Sequence, residues 1–158
     1  MKLKGKQFLC IFLIAHVLGS CQDTKAVVDT NQEITRRNWN YTEKIQVPVT
    51  IESTDKSYNL YVNLRHTPDY KYSNIVLLIH TTGPDGKRIS ERKEFKLALP
   101  DGEWFGSGSG NMYSHRLLFK ERYKFPLKGK YTFELEQNMR DNPLNDVTDA
   151  GMRVEKSN

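Results

Sequence analysis

Cysteine is almost missing from this chain. Cys10 and Cys21 are the only two in 158 residues, and since Cys10 would leave with the signal segment and the Cys21 thiol would carry lipid, no disulfide framework or free thiol is expected. Long apolar runs are scarce as well. The one present, Phe8 to Leu18, is far shorter than the about 20 residues that cross a ~30 Å hydrocarbon core, and the polar sequence after Cys21 cannot extend it. Beyond it, no segment of ten or more residues repeats with a helical period. Gly106-Ser107-Gly108-Ser109-Gly110 is rich in glycine but lacks Walker or dinucleotide spacing and a following helix. Centring Gly-x-Ser-x-Gly on Ser107 or Ser109 fails at the flanking positions, which removes the nucleophile elbow of serine hydrolases.

What the N-terminus does contain is ordered. Lys2, Lys4 and Lys6 precede the apolar run, and Leu18-Gly19-Ser20-Cys21 follows it. A basic segment, ~7–15 apolar residues and small residues before a scissile bond make a secretory signal. A cysteine immediately after that bond makes it a bacterial lipobox, with residues 1–20 as signal peptide. The Cys21 thiol would carry diacylglycerol and its freed amine a further acyl chain such as palmitate. Two or three chains anchor stably where one binds only marginally. The covalent lipid on Cys21 is the only non-protein group expected, and no cofactor is.

Maturation changes the charge balance. The formal +5 falls to +2, because the three lysines are the only charges in residues 1–20. The basic excess therefore gives no ground for a nucleic-acid partner. Asp, Thr, Asn, Gln and Arg dominate residues 21–38, which read as a flexible tether holding the domain roughly 20–25 Å from the bilayer by random-coil scaling. A strand starting at Val27-Val28 is the alternative.

From Trp39 the period becomes two. Trp39, Tyr41, Ile45, Val47, Val49 and Ile51 share one phase, with Pro48 opposite, the mark of an edge strand or a break. Tyr58, Leu60, Val62 and Leu64 repeat the pattern, and the continuous run Ile75 to Ile79 suits a central strand. After the Gly83-Pro84-Asp85-Gly86 turn, Ile89, Phe95, Leu97 and Leu99 form the next phase, then Tyr113, His115, Leu117 and Phe119. Phe125-Pro126 and Gly129-Lys130-Tyr131 precede an alternating Tyr131 to Met139, like the corner entering a late strand of Ig-like sandwiches. A short strand through Ala150, Met152 and Val154 closes the chain. Residues 39–158 are thus predicted to be an all-β domain, an antiparallel β-sandwich, Ig-like or jelly-roll-like, of about seven or more strands.

Candidate chemistry is thin. His66, His80, His115 and Asp69 include no short ligand pair, and histidines scattered in strands are ordinarily packed or solvated. Glu134 and Glu136 share the polar face of one strand, whereas a glycosidase pair comes from separate elements. Asp141, Asn142, Asn145, Asp146 and Asp149 offer hard oxygens without EF-hand spacing. No acid–base or metal constellation stands out, so the chain reads as a non-enzyme. Trp104 and Phe105, beside loop glycines, are the best candidates for partner binding, because aromatics dominate interface hot spots. The competing reading is that at least one of them caps the open end of the core.

The same stretches resemble the gliding-motility lipoprotein GldH family of Bacteroidetes-type bacteria. The resemblance rests on Tyr58-Asn59-Leu60-Tyr61-Val62-Asn63-Leu64-Arg65, on Pro100-Asp101-Gly102-Glu103-Trp104-Phe105-Gly106, on Gly129-Lys130-Tyr131-Thr132-Phe133, and on Ala150-Gly151-Met152-Arg153-Val154-Glu155. It implies a small envelope lipoprotein, accessory to the gliding machinery and the associated type 9 secretion system, with Cys21 as the one residue carried over. Gln22 in place of Asp, and no dense acidic run after Cys21, favour an outer-membrane lipoprotein facing the periplasm. The expected partners are the lipid membrane, through acylated Cys21, and envelope proteins of the apparatus. The alternative function is a glycan-binding sandwich module in which Trp104, Phe105 or Tyr113 stacks on sugar rings.

Overall fold

The structure, a computed structural model, describes residues 23–108 and 110–157. The signal segment and Cys21 lie outside the described residues. In chain order the strands are β1 (Ala26–Glu33), β2 (Asn38–Trp39), β3 (Ile45–Ile51), β4 (Tyr58–His66), β5 (Asn74–Thr82), β6 (Arg88–Lys96), β7 (Ser107–Gly108), β8 (Tyr113–Tyr123), β9 (Gly129–Gln137), β10 (Leu144–Asn145) and β11 (Val147–Lys156). A single 3₁₀ turn, Thr35–Arg37, follows β1, and no α-helix occurs among the described residues.

All pairings are antiparallel. One sheet has the order β1-β11-β4-β8-β7, the other β3-β9-β5-β6, and β10 pairs with β2 at one end. The two larger sheets pack face to face through their alternating apolar phases. Leu60, Val62 and Leu64 of β4 with Ala150, Met152 and Val154 of β11 meet Val47, Ile75, Leu77, Ile79, Phe133 and Leu135 in one continuous core. β3 is an edge strand and remains unbroken, with Pro48 exposed. β5 is interior, its outward Val76 also buried. The corner before β9 is closed by Tyr131, whose hydroxyl donates to the Leu127 carbonyl at 2.9 Å and accepts from the Leu127 amide at 3.2 Å. That is the return bond of a tyrosine corner.

Three expectations need correction. Residues 21–38 are not a free tether throughout: β1 pairs along its length with β11, Val28 opposite Val154 and Gln32 opposite Ala150. Its side chains give little apolar signal because it is an edge strand held by backbone bonds and by Asp29, which accepts from Asn63 at 2.7 Å and from Arg153 at 2.7 Å. The strand lies close because Gly151 faces it; a Cβ there would stand 1.9 Å from the Thr30 carbonyl oxygen. Tyr41, placed by its phase in the core, is 50% exposed, because the chain turns between β2 and β3 and only Trp39 enters the interior. Ile89 is equally exposed, on edge strand β6, beside a 260 Å³ cleft between the sheets that Leu60, Tyr123 and Phe133 also line.

Candidate functional site

The strand directions give the molecule two distinct ends. Residues 34–44, 67–73, 97–112 and 138–146 gather at the end opposite the chain's entry into β1. Here β4 finishes at His66 and β8 begins at Tyr113, paired directly across the ladder. Both strands turn their core phase toward this end, so His66 and His115 lie side by side, 0% and 6% exposed. Their rings stack with centroids 4.9 Å apart. Trp104 meets His66 edge-on at 4.4 Å, and Tyr70 and Tyr113 complete the cluster at 5.0 Å and 5.8 Å from His66.

Hydrogen bonding fixes the protons. His66 Nδ1 lies 2.8 Å from the Thr67 carbonyl, which can only accept, so the proton is on Nδ1. Its bare Nε2 accepts from His115 Nε2 at 2.9 Å. This arrangement suits two neutral rings, which burial also favours. Burial, reinforced by the neighbouring His66, pushes His115 down to about 4, and burial lowers His66 as well, against the bond to Thr67. Gly106 completes the seal: a Cβ there would come within 2.7 Å of His115 Nε2, so this glycine permits the close packing.

Trp104 and Phe105 separate in role. Trp104 is half-buried, bridged to Ala98 and locked in the cluster, as a cap on the core. Phe105 is 55% exposed while its amide donates to the Leu97 carbonyl at 2.9 Å, so a fixed backbone displays a solvent-facing ring. Leu99, Met112 and Tyr41 are exposed at the same end. Tyr113 is half-buried against His66 and Trp104, so neither Trp104 nor Tyr113 offers a free flat ring for a sugar.

The remaining candidates disperse. His80 sits on the outer face of the second sheet, 2.7 Å from Ser90 Oγ and 3.2 Å from Glu136, while Asp69 is exposed. Burial acts to raise both carboxyls of the Glu134 and Glu136 pair, but Arg88 and Gln46 on one, Lys44 and His80 on the other, hold them below the ordinary range. They form a cross-strand charge ladder. Asp141 pairs with Lys71 at 3.0 Å, Asp146 accepts from Thr67 at 3.2 Å and Asp149 pairs with Arg65 at 2.7 Å, so the acidic stretch points to three different partners. Among the described residues no three His, Cys, Asp or Glu side chains converge on a metal-sized site. No buried side-chain nitrogen or oxygen among them lacks a hydrogen-bond partner. Two concavities among the described residues, of about 690 and 570 Å³, lie on the outer face of the first sheet and share Asn31 and Arg65. Their Arg65 and Arg116 are already paired, to Asp149 and Asp29.

Sequence reasoning missed the His66–His115 contact and the anchoring of β1. The first had a signal, since both histidines fall in the apolar phase of their strands. The second had a partial signal in Val27-Val28, but its ion pair to Arg153, 124 residues away from Asp29, carried none.

The GldH lipoprotein family model matches residues 26–154. The chain is 35% identical over 154 residues to the gliding motility lipoprotein GldH homolog of Christiangramia forsetii, covering 93% of this chain and 94% of that protein. It is 31% identical over 163 residues to the gliding motility lipoprotein GldH of Flavobacterium johnsoniae, covering 99% of each. No solved structure matches it. The match takes in β1 and nearly all of β11 and so spans the sandwich, and the chain belongs to the GldH lipoprotein family.

Proposed function

We propose that this chain is a non-enzymatic accessory lipoprotein of the gliding-motility apparatus and its associated type 9 secretion machinery. Acylated Cys21 holds it in the outer membrane on the periplasmic side, and the end of the sandwich bearing Phe105 recognises an envelope protein. The observation that carries this reading is the placement of exposed apolar groups. Tyr41, Leu99, Phe105 and Met112 lie at the end away from the chain's entry. A ring held on fixed backbone forfeits little entropy when covered, which suits a hot spot. Confinement by the anchor then lets a weak contact act at high effective concentration.

The test is chemical cross-linking of intact cells expressing a tagged chain, followed by mild detergent extraction. Gliding or secretion components should co-purify with the native chain and be lost with Phe105→Asp. Equal recovery with Phe105→Asp, or binding only to envelope polysaccharide, would contradict the reading.

A further inference from the structure

The end of the sandwich where the chain enters is basic. The connections at residues 52–57, 83–87 and 124–128 gather there, beside the start of β1 and the end of β11. Lys25 and Lys156 flank the entry point, and Lys56 and Lys87 extend from two of the connections, all exposed. Arg122, Lys124, Lys128 and Lys130, also exposed, surround the corner between β8 and β9. Asp23, Glu52, Asp55, Asp85, Glu121 and Glu155 oppose these eight cations, a net of two positive charges at this end. The whole chain after residue 20 carries +2, so this end holds the entire excess and the rest of the domain is balanced.

At the tip of that corner stands Leu127, 43% exposed. Both its backbone polar groups are bonded to the Tyr131 hydroxyl, so its position is set by the core. A fixed apolar side chain ringed by cations matches what an anionic lipid surface accommodates: the cations meet phosphates and the apolar tip enters the headgroup boundary.

Chain length brings this end to such a surface. β1 begins at Ala26, five residues after Cys21, and five extended residues span at most about 17 Å. Asp23 already pairs with Arg153 of β11, which shortens the free chain further. Electrostatic attraction reaches about 8–10 Å at ordinary salt, so the lysines need close only a small gap.

We infer that the entry end docks on the phosphate-bearing headgroup surface of the same leaflet that holds the Cys21 acyl chains, with Leu127 seated among the headgroups. This rests on the lipid anchoring of Cys21. The sandwich then stands upright and lifts the Phe105 end by about the ~33 Å length of a ten-residue strand.

The experiment uses the full lipidated protein, reconstituted into vesicles of phosphatidylcholine alone or of phosphatidylcholine with one-third phosphatidylglycerol. Spin labels are placed at Leu127→Cys or Phe105→Cys, and collision with oxygen is compared with collision with a water-soluble nickel complex. With phosphatidylglycerol, the oxygen-to-nickel ratio at position 127 should rise severalfold over position 105. It should fall back in 1 M salt or with Lys124→Glu and Lys128→Glu together. Equal ratios at the two positions in protein that floats with the vesicles would overturn the docking and leave the anchor intact. Protein that does not float would overturn the anchor and the docking with it.

Discussion

At the entry end of the sandwich eight exposed cations surround one exposed leucine; at the far end Tyr41, Leu99, Phe105 and Met112 are exposed among loops holding five basic and six acidic residues. Their internal supports differ too. The entry end is closed by the packed rings of Tyr58, Tyr123, Phe125 and Tyr131, with the Tyr131 hydroxyl bonded twice to Leu127 and the Tyr58 hydroxyl to the Ser53 carbonyl. The far end is closed by five packed rings, two of them histidines joined through their Nε2 atoms. A solvated, charged surface around one apolar tip suits a partner that is itself fluid. Fixed apolar groups over a rigid aromatic base suit a partner with a definite shape.

The largest effect should come from Cys21→Ser. Without acyl chains, each buried CH₂ of which is worth about 0.8 kcal/mol, the chain should leave the membrane pellet entirely on fractionation while its far-UV circular dichroism stays unchanged. The two ends would then be equivalent with respect to the bilayer. Next comes Gly151→Ala, which sets a Cβ against the Thr30 carbonyl. Overpacking of this kind costs about 3 kcal/mol, read as a drop in urea midpoint, and protease should cleave within residues 26–33. Releasing β1 lengthens the tether and uncouples the basic end from its surface.

The far end should show its own pH dependence. His66 and His115 have folded pKa values below the free value near 6.5, so the unfolded chain binds more protons in the window between 6.5 and about 4. Stability is therefore full above 6.5 and is lost as pH falls toward 4, by about 2–3 kcal/mol for a shift of that size. Thermal melts at pH 7 and pH 4.5 check this, and His115→Gln should flatten the slope. At the entry end, Tyr131→Phe removes the bonds to Leu127 and should cost about 1 kcal/mol with no change in that pH slope. Smallest of all, Phe105→Ser should move the urea midpoint by less than about 0.5 kcal/mol in stability, while abolishing the cross-link to its partner.

Much of the fold was legible in the sequence because burial follows the strand period. Ile45 to Ile51 and Tyr131 to Gln137 alternate cleanly, Tyr58 to Leu64 does so except at buried Asn63, and each strand lies where its pattern placed it. Pro48 marked the edge, and the Pro-Gly-Tyr order marked the corner. β1 was only partly legible, since Val27-Val28 marked a possible strand start but the polar residues after it hid the rest, for a physical reason. An edge strand stabilised by backbone bonds and by ion pairs to distant residues need not contain an apolar phase. Tyr41 and Ile89 misled because phase gives the direction of a side chain but not whether the opposite sheet reaches it. At the candidate site, sequence singled out Trp104 and Phe105 without separating them. Only the contacts of Trp104 with His66 and Tyr113, and the absence of such ring contacts at Phe105 among the described residues, separate a capping ring from an exposed one.

The central claim is that the two ends face different partners, and photo-cross-linking in intact cells tests it most directly. A photoreactive amino acid would replace Phe105 in one strain and Leu127 in another, both with Cys21 intact. The account predicts a discrete protein adduct from position 105 and lipid adducts without protein from position 127. Protein adducts from position 127 with none from position 105 would contradict it.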